Sequence, residues 1–249
     1  SAAICWPVTD PSWFALLAPA LIKGGAVARK EIIGNAELWL GDCRDILPTL
    51  PKVDAVVTDP PYGILNLRGE GSTLAVRKSQ RQQGSGTLKG RLLNVSNVEW
   101  DIAPPAEAFD EMRAQSRYQI FWGGNYFPLP PHRAALVWDK QQPWDNFSQV
   151  ELAWTNLPRP AAIFRLSATR GYDGKEHPTE KPIALMEWCI GLLPASAISI
   201  ADPFMGSGTT GVACINLGRK FIGIEREPKY FDIACRRIGD AQRQGRLIE

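Results

Sequence analysis

The chain has 249 residues, of which 45% are hydrophobic and 22% are charged, and its formal net charge is +2. This composition is typical of a globular protein with one α/β core, and the overall charge does not indicate nucleic acid as a partner. No apolar stretch is long enough to span a bilayer, and residues 13–22 are interrupted by Pro19 and lack a basic start, so we expect neither a membrane helix nor a signal peptide. Five widely spaced cysteines without a C-x-x-C pair indicate a reducing, cytoplasmic compartment and no metal site.

Two predicted strands in the first quarter of the chain each end at an acidic residue. Residues 37–40 precede Asp42, and a short helix is expected from there to Leu50. Residues 54–58 precede Asp59 and are rich in β-branched side chains, which indicates a buried strand.

The segment Asp59-Pro60-Pro61-Tyr62 directly follows the second of these strands. The two prolines end the strand and impose a stiff, extended turn. The Asp59 carboxylate and the Pro60 carbonyl can accept both hydrogens of an exocyclic amine, while the Tyr62 ring can stack on its heterocycle. The segment therefore predicts a receptor for a planar amino-heterocycle, although a proline turn with an incidental tyrosine would have the same four residues.

Residues 64–100 lack a clear period and form a candidate insertion. Between residues 66 and 94, six basic residues stand against Glu70 alone: Arg68, Arg77, Lys78, Arg81, Lys89 and Arg91. Loops of this length are usually functional or disordered, and a basic loop beside the amine receptor predicts a clamp for DNA phosphates. A solvated insertion without function is the alternative.

Further strands are predicted at residues 118–122 and 134–138, followed by a second candidate insertion at residues 141–176. This second region contains side chains able to contact base edges, namely Trp144, Asn146, Arg159, Arg165 and Arg170. Its segments 150–154 and 162–164 are strand-like and are more typical of a sheet core.

A helix is predicted over residues 183–193, with Pro182 in its first turn. The segment from His177 to Pro182 opens this helix. Thr179 and Lys181 in that segment could hold a small carboxylate at the helix start.

Residues 197–225 read as a strand, a glycine-rich turn, a helix and a second strand. This layout is typical of a nucleotide-type site, in which glycines let the backbone approach the ligand and a terminal acid, here Glu225, takes ribose hydroxyls. Asp202, at the end of the first of these strands, favours a ligand with a positive end over a pyrophosphate.

The glycine turn also leaves an alternative open. Gly206, Gly208 and Gly211 satisfy the GxGxxG fingerprint of dinucleotide sites, so an NAD-dependent oxidoreductase is a competing hypothesis.

Three motifs together make the chain resemble the amino-group DNA methyltransferases: the Asp-Pro-Pro-Tyr tetrad, the Phe-x-Gly-x-Gly loop at Phe204, and the His-Pro-Thr-x-Lys-Pro segment from His177. The tetrad precedes the glycine loop, and the Lys-Pro motif lies just ahead of that loop. This order is similar to that of the beta class, and the resemblance covers residues 36–63 and 118–240.

The resemblance implies an α/β fold with a doubly wound, mostly parallel, seven-stranded methyltransferase sheet of the Rossmann-like kind. The sheet would be circularly permuted, with an inserted, loop-rich DNA-recognition region. Residues 31–249 would form a single catalytic domain after an N-terminal arm, residues 1–30, to which no role is assigned. The strand that ends at Glu225 would be the second of the cofactor half, the one before Asp42 the third, and the one before Asp59 the fourth.

The resemblance further implies S-adenosyl-L-methionine as the cofactor and no metal. The expected cofactor-binding residues are Asp42, Thr179, Lys181, Asp202, Phe204, Gly206, Gly208, Thr209 and Glu225. Asp42 would contact the adenine ring of the cofactor, although an aspartate that only caps the next helix is a nearly equal alternative.

The implied activity is direct, in-line methyl transfer to adenine N6 of a base flipped out of double-stranded DNA, with Asp59, Pro60, Pro61 and Tyr62 as the catalytic residues. In this family an aspartate at the first tetrad position goes more often with adenine N6 and a serine with cytosine N4, so cytosine N4 is the runner-up. A catalytically silent DNA-binding module is a more distant alternative.

The resemblance also suggests partners and a setting. A homodimer is expected, and a restriction endonuclease could be encoded separately. The protein would be bacterial or phage-encoded, cytoplasmic and associated with the nucleoid.

Overall fold

The computed structural model describes residues 29–64, 101–142, 148–167 and 180–246. Within these ranges the chain forms nine strands: β1 (Arg29–Ile33), β2 (Ala36–Leu40), β3 (Val53–Thr58), β4 (Ser116–Trp122), β5 (Ala135–Asp139), β6 (Val150–Thr155), β7 (Ala162–Arg165), β8 (Ser199–Asp202) and β9 (Lys220–Glu225). The same ranges hold five α-helices: α1 (Cys43–Ile46), α2 (Ala106–Ala114), α3 (Ile183–Gly191), α4 (Thr209–Asn216) and α5 (Pro228–Arg246).

All nine strands join one sheet in the order β1-β2-β9-β8-β3-β4-β6-β5-β7. The five strands from β2 to β4 in this order run parallel. β1 is antiparallel to β2, and β6 is antiparallel to both of its neighbours, β4 and β5. The prediction of a mostly parallel α/β sheet is therefore confirmed. The predicted order around the cofactor half is also found, because β2 lies beside β9 and β3 lies beside β8.

The sheet has two edge strands more than the seven predicted. β1 pairs with β2 through a tight turn in which Gly34 has a φ of +57°, so the sheet begins at Arg29, inside the range assigned to the N-terminal arm. β7 pairs with β5 in parallel, which extends the opposite edge. β6 and β7 lie within the range 141–176, in agreement with the prediction that its two strand-like segments belong to the sheet core.

Helices cover the sheet on both faces, as the doubly wound prediction requires. On one face, α3, α4 and α5 pack against the strands through residues such as Leu185, Val212 and Phe231. On the other face, α1 and α2 contribute Ile46 and Phe109 to a second cluster. Each of these side chains is nearly or fully buried, and burial of one large apolar side chain stabilises the fold by about 1.5–3 kcal/mol.

The helices on the two sides of the central strand β8 pack on opposite faces of the sheet. The helix α4, between β8 and β9, packs on one face, and α2, between β3 and β4, packs on the other. The winding of the chain therefore reverses between β8 and β3. In open α/β sheets, ligands bind in the crevice at the carboxyl ends of the strands at such a point. β3, β8, β9 and β2 all direct their carboxyl ends toward this crevice.

Among the described residues, no helix is both long enough and apolar enough to cross a membrane.

Candidate active site

The turn after β3 brings Asp59 and Tyr62 into direct contact. The Tyr62 hydroxyl donates a hydrogen bond to Oδ1 of Asp59 over 2.7 Å. Pro60 and Pro61 lie between them, and because proline has no backbone N–H, the turn cannot continue the ladder of the sheet. The tetrad therefore presents its acid and its ring together at the end of a central strand.

Lys181 reaches the same carboxylate from the start of α3. Its Nζ donates to Oδ2 of Asp59 over 2.5 Å and to the Tyr62 hydroxyl oxygen over 3.2 Å. Pro182 disfavours a helical conformation for the residue before it, so Lys181 stays outside the helix. Its side chain is only 6% exposed, which means that this ammonium depends on protein groups rather than water for its charge balance.

Two further charged residues complete an ion cluster, which we define as Asp59, Lys181, Glu151 and Lys140. Nζ of Lys181 lies 3.0 Å from Oε2 of Glu151, an ion pair without hydrogen-bond geometry, and Oε1 of Glu151 pairs with Lys140. Glu151 stands directly opposite Trp138 in the β5–β6 pair, and Lys140 lies just beyond β5. Two carboxylates and two ammonium groups thus balance one another beside the tetrad.

Burial and charge pairing have opposing effects on the pKa values in this cluster. Burial opposes the Lys181 charge, but Asp59, Tyr62 and Glu151 outweigh it and raise the Lys181 pKa well above its usual range. Burial would likewise raise the pKa of Glu151, yet Lys181 and Lys140 lower it to about 2. At Asp59 burial prevails over the opposing effect of Lys181, so the pKa of this carboxyl is raised.

The ring of Tyr62 is held by aromatic neighbours. It stacks on Tyr126 with 5.0 Å between ring centroids, and it meets the edge of Phe127 at 6.1 Å. Gly123 makes room for it: its φ is +71°, and a Cβ atom there would lie 2.1 Å from Cε1 of Tyr62. Any side chain at position 123 would displace the ring.

Asp202, at the end of β8, is held by uncharged donors. The hydroxyls of Thr58 and Thr210 each donate to its carboxylate over 2.6 Å, and the Phe204 N–H donates over 3.0 Å. Burial raises its pKa to about 6, because these neutral donors offset desolvation only in part. The carboxylate joins β3, β8 and α4, and it lines a small side cavity rather than the main one.

Glu225, at the end of β9, supports the glycine turn. Its Oε2 accepts the Gly206 N–H over 3.0 Å, and its Oε1 accepts the Glu227 N–H over 2.8 Å. Burial raises the pKa of this carboxyl against the opposing effect of the backbone donors. Each oxygen keeps a second lone pair with which it could bind a ligand hydroxyl.

Asp42 has the capping role that was the alternative to cofactor contact, and it also faces the cavity. It is the N-cap of α1, where it accepts the Arg44 N–H over 2.9 Å. The Arg44 guanidinium binds the same carboxylate at 2.6 Å and, through this hydrogen bond, lowers the pKa of Asp42.

A cavity of about 580 Å³ lies along the carboxyl edge of the sheet. The predicted site residues that line it are Asp42, Asp59, Pro60, Pro61, Tyr62, Lys181, Phe204, Gly206 and Glu225. Gly206 has open space where a Cβ would be, so a ligand can approach its backbone. One continuous space thus connects the tetrad with the glycine turn.

Two predicted cofactor residues serve the packing of α5 instead of lining the main cavity. Gly208 has a φ of +83°, and a Cβ there would lie 2.9 Å from the Ala234 side chain. The Thr209 hydroxyl donates to Glu180 over 3.3 Å, and the same carboxylate pairs with Arg237 at 2.6 Å. Thr209 also lines the small cavity beside Asp202.

Several predicted residues lie outside the described residues: Thr179, Arg68, Arg77, Lys78, Arg81, Lys89 and Arg91. Most of the N-terminal arm and of the 64–100 range lies outside them too, as do residues 143–147 and 168–176. No group of acidic, histidine or cysteine side chains suited to a metal ion occurs in the part of the chain that the structure describes.

Sequence reasoning missed Glu151 and Lys140 as site residues. Glu151 lies within a strand-like segment that was predicted to be core. The one signal that could have identified it as a site residue was its charge inside an otherwise apolar strand. Tyr230 of α5 and Asp101 also line the cavity and carry no motif.

The doubly wound sheet with a ligand crevice at its carboxyl edge defines the class of this protein, and comparison with known proteins shows which proteins it resembles. Residues 137–236 match the family model N6_N4_Mtase, described as DNA methylase. The chain is 27% identical over 221 residues to "Putative methylase YubD" of Escherichia coli (strain K12), which covers 82% of this chain and 90% of that relative. It is 49% identical over 145 residues to the type II methyltransferase M2.DpnII of Streptococcus pneumoniae, which covers 58% of this chain and 50% of that relative.

A solved structure agrees at the level of fold. The crystal structure of the M1.HpyAVI–SAM complex aligns with a TM-score of 0.53 and 22% identity, covering 82% of this chain and 98% of the other. The match to the DNA methylase model over residues 137–236 and the similarity to the two named relatives confirm the predicted resemblance to the amino-group DNA methyltransferases.

Proposed function

We propose that this protein transfers the methyl group of S-adenosyl-L-methionine to adenine N6 in double-stranded DNA. The observation that carries the proposal is the continuous cavity that joins Asp59 and Tyr62 to Gly206 and Glu225. A DNA methylase needs a base site and a cofactor site within one space, and these are the residues whose chemistry suits each.

The glycine-turn end of the cavity suits the cofactor. Glu225 can accept ribose hydroxyls with its free lone pairs, while its bond to the Gly206 N–H keeps the turn in place. The open space beside Gly206 admits a ligand close to the backbone. When bound, S-adenosyl-L-methionine supplies a methyl group that is already strongly electrophilic, so the protein need not form a covalent intermediate.

The tetrad end suits the target amine. An aryl amine is a poor nucleophile because its lone pair is delocalised into the ring. If Asp59 and the Pro60 carbonyl accept its two N–H bonds, the nitrogen moves toward tetrahedral geometry and the lone pair becomes available. Asp59 also stabilises the positive charge that develops on this nitrogen, and Tyr62 stacks on the flipped base.

Adenine is proposed over cytosine because the tetrad begins with aspartate. Cytosine N4 is the second candidate, since the family includes enzymes of both kinds. The family match leaves the oxidoreductase hypothesis without support. Double-stranded DNA as the substrate follows from the proposal, while homodimerisation and a separate restriction endonuclease stay predictions.

The test is methyl transfer from labelled S-adenosyl-L-methionine to unmethylated genomic DNA, followed by digestion to nucleosides and chromatography. Label in N6-methyladenine is the expected result. Label in N4-methylcytosine would keep the reaction and replace the base. No label in a protein that binds the cofactor would overturn the proposal and favour a silent DNA-binding module.

A further inference from the structure

Both oxygens of the Asp59 carboxylate already accept hydrogen bonds from other groups of the protein. Tyr62 donates to its Oδ1, and Lys181 donates to its Oδ2 over 2.5 Å. A target amine must bind the same carboxylate, and it then gains positive charge during methyl transfer. The Lys181 ammonium would repel this developing charge if it stayed where it is.

Lys181 has a second anion within reach. Oε2 of Glu151 is 3.0 Å from its Nζ, buried, and without a hydrogen bond. A small displacement of the Lys181 side chain toward Glu151 would convert this ion pair into a hydrogen bond. Glu151 is thus a counter-ion that already contacts the ammonium and that remains its partner when Lys181 leaves Asp59.

Neighbouring groups hold the Glu151 carboxylate in place beside the Lys181 ammonium. Its Oε1 pairs with Lys140, and the β5–β6 ladder fixes its backbone opposite Trp138. In the part of the chain that the structure describes, the Lys181 ammonium also interacts with Tyr62, the Trp122 ring at 5.8 Å and the Cys189 thiol. Among the described residues paired with the ammonium, Asp59 and Glu151 are the two carboxylates, at 2.5 Å and 3.0 Å, so the ammonium can move away from one and keep the other.

We propose that Glu151 is a positioning residue that draws the Lys181 ammonium off Asp59 when the target amine binds. Asp59 then accepts the amine hydrogens, and the cluster stays neutral because Lys181 keeps a carboxylate partner throughout. The inference rests on the proposed function and adds to it a residue outside the family motifs.

Charge at Glu151 is essential to this exchange, and the surroundings maintain it. Lys181 and Lys140 overcome the effect of burial and lower the pKa of Glu151 to about 2, so the carboxylate is ionised throughout the neutral range. A glutamine at this position would keep the shape of the side chain and remove its charge.

A double-mutant cycle tests the exchange, with Glu151→Gln, Lys181→Met and the double variant compared with the wild type. In Glu151→Gln, Asp59 is the one carboxylate left to Lys181 among the described residues, and the ammonium blocks it, so we expect kcat for DNA methylation to fall on the order of ten- to a hundredfold. The Kd for S-adenosyl-L-methionine, measured by calorimetry, should not change. In the Lys181→Met background there is no ammonium to draw away, so adding Glu151→Gln should leave kcat unchanged.

Glu37→Gln is the matched control. Glu37 is a fully buried strand carboxylate that pairs with Lys30 at 3.0 Å, far along the sheet from the cluster. Its substitution should lower the unfolding temperature and leave kcat per folded molecule unchanged. Loss of stability alone is thereby separated from loss of positioning.

The possible outcomes distinguish failure of this inference from failure of the proposed function. Suppose that the wild type methylates DNA. If kcat is then unchanged in Glu151→Gln, or if the losses of the two single variants add in the double variant, this inference alone is overturned. A wild-type protein that transfers no methyl group would overturn the proposed function and the inference with it. If Glu151→Gln does not fold, the Lys181 Cε resonance of the wild type decides: it should shift when DNA and S-adenosylhomocysteine are added, and a constant resonance would refute the exchange.

Discussion

Asp59 directly follows β3 and Asp202 ends the adjacent parallel strand β8, yet the two carboxyls differ in the charge of their donors and in their exposure. Asp59 accepts from a charged donor, Lys181, and its side chain is 21% exposed at the cavity wall. Among the described residues, the donors to Asp202 are two hydroxyls and a backbone N–H, and Asp202 is 3% exposed. In the proposed exchange a charged partner moves toward an alternative anion, whereas neutral donors on β3, on α4 and in the turn after β8 fix the Asp202 carboxylate. Asp59 is therefore suited to receive a ligand and Asp202 to join β3, β8 and α4.

The largest expected effect is on the Asp59 side. Asp59→Ala removes the acceptor for the target amine, and we expect methyl transfer to fall on the order of a hundred- to a thousandfold or more, while cofactor binding is retained. Steady-state transfer of labelled methyl to DNA measures the rate, and calorimetry measures binding.

Asp54→Ala is the control for that experiment, because Asp54 lies on the same strand and accepts the N–H groups of Ile198 and Ser199 at the other end of it. This variant should lose stability and keep its activity per folded molecule. Appreciable turnover in Asp59→Ala would contradict the role assigned to that residue.

On the Asp202 side the expected effect is on stability and depends on pH. The pKa of Asp202 rises from 3.8 to about 6 on folding, so between these values the folded protein binds more protons than the unfolded chain. The free energy of unfolding should therefore fall as pH rises through this window, by about 2–3 kcal/mol from this group. Asp202→Asn removes the titration and should remove this dependence.

Urea unfolding of wild type and Asp202→Asn at pH 4 and pH 7 measures the contribution, since the other titrating groups cancel in the difference between the two proteins. The stability of the wild type relative to the variant should be lower at pH 7 than at pH 4. An equal difference at both pH values would mean that Asp202 titrates alike in the folded and unfolded chain.

The smallest expected effect concerns Glu225, which resembles Asp202 in its neutral donors and Asp59 in facing the cavity. Glu225→Ala should weaken binding of S-adenosyl-L-methionine by about 1.5–3 kcal/mol, the value of hydrogen bonds to a charged group. Calorimetry against Glu31→Ala, a strand carboxylate paired with Arg29 away from the cavity, supplies the comparison. Unchanged affinity would show that the ribose assignment is wrong.

Much of this arrangement could be predicted because its signals are local. Asp59 and Glu225 each follow an apolar run that indicates a strand, so the sequence alone placed both acids at strand ends. The parallel layout then brought those ends to one edge of the sheet. The edge strands β1 and β7 were harder to predict as parts of the sheet, because short strands with partly exposed faces have a weak pattern.

Glu151 and Lys140 could not be placed in the site from the sequence. Their position depends on the antiparallel register of β5 and β6, and a shift of that register by one residue would turn Glu151 to the opposite face. Lys181 was predicted to bind a cofactor carboxylate from its place at a helix start. Its contact with Asp59 arises between residues 122 positions apart, which no local pattern encodes.

The pairing of β3 with β8 has a consequence for the order of assembly. Their partners, such as Ala55 with Ile200, are separated by more than half the chain, and the Asp54 carboxylate is also bound from the β8 side. During synthesis from the N-terminus, β3 must wait with one edge unpaired until the residues of β8 have left the ribosome. Closure of such distant contacts is slow, so the pairings of β8 with β3 and of β9 with β2 are expected to form last in the nascent protein, after the β1–β2 hairpin and the β5–β6 pair.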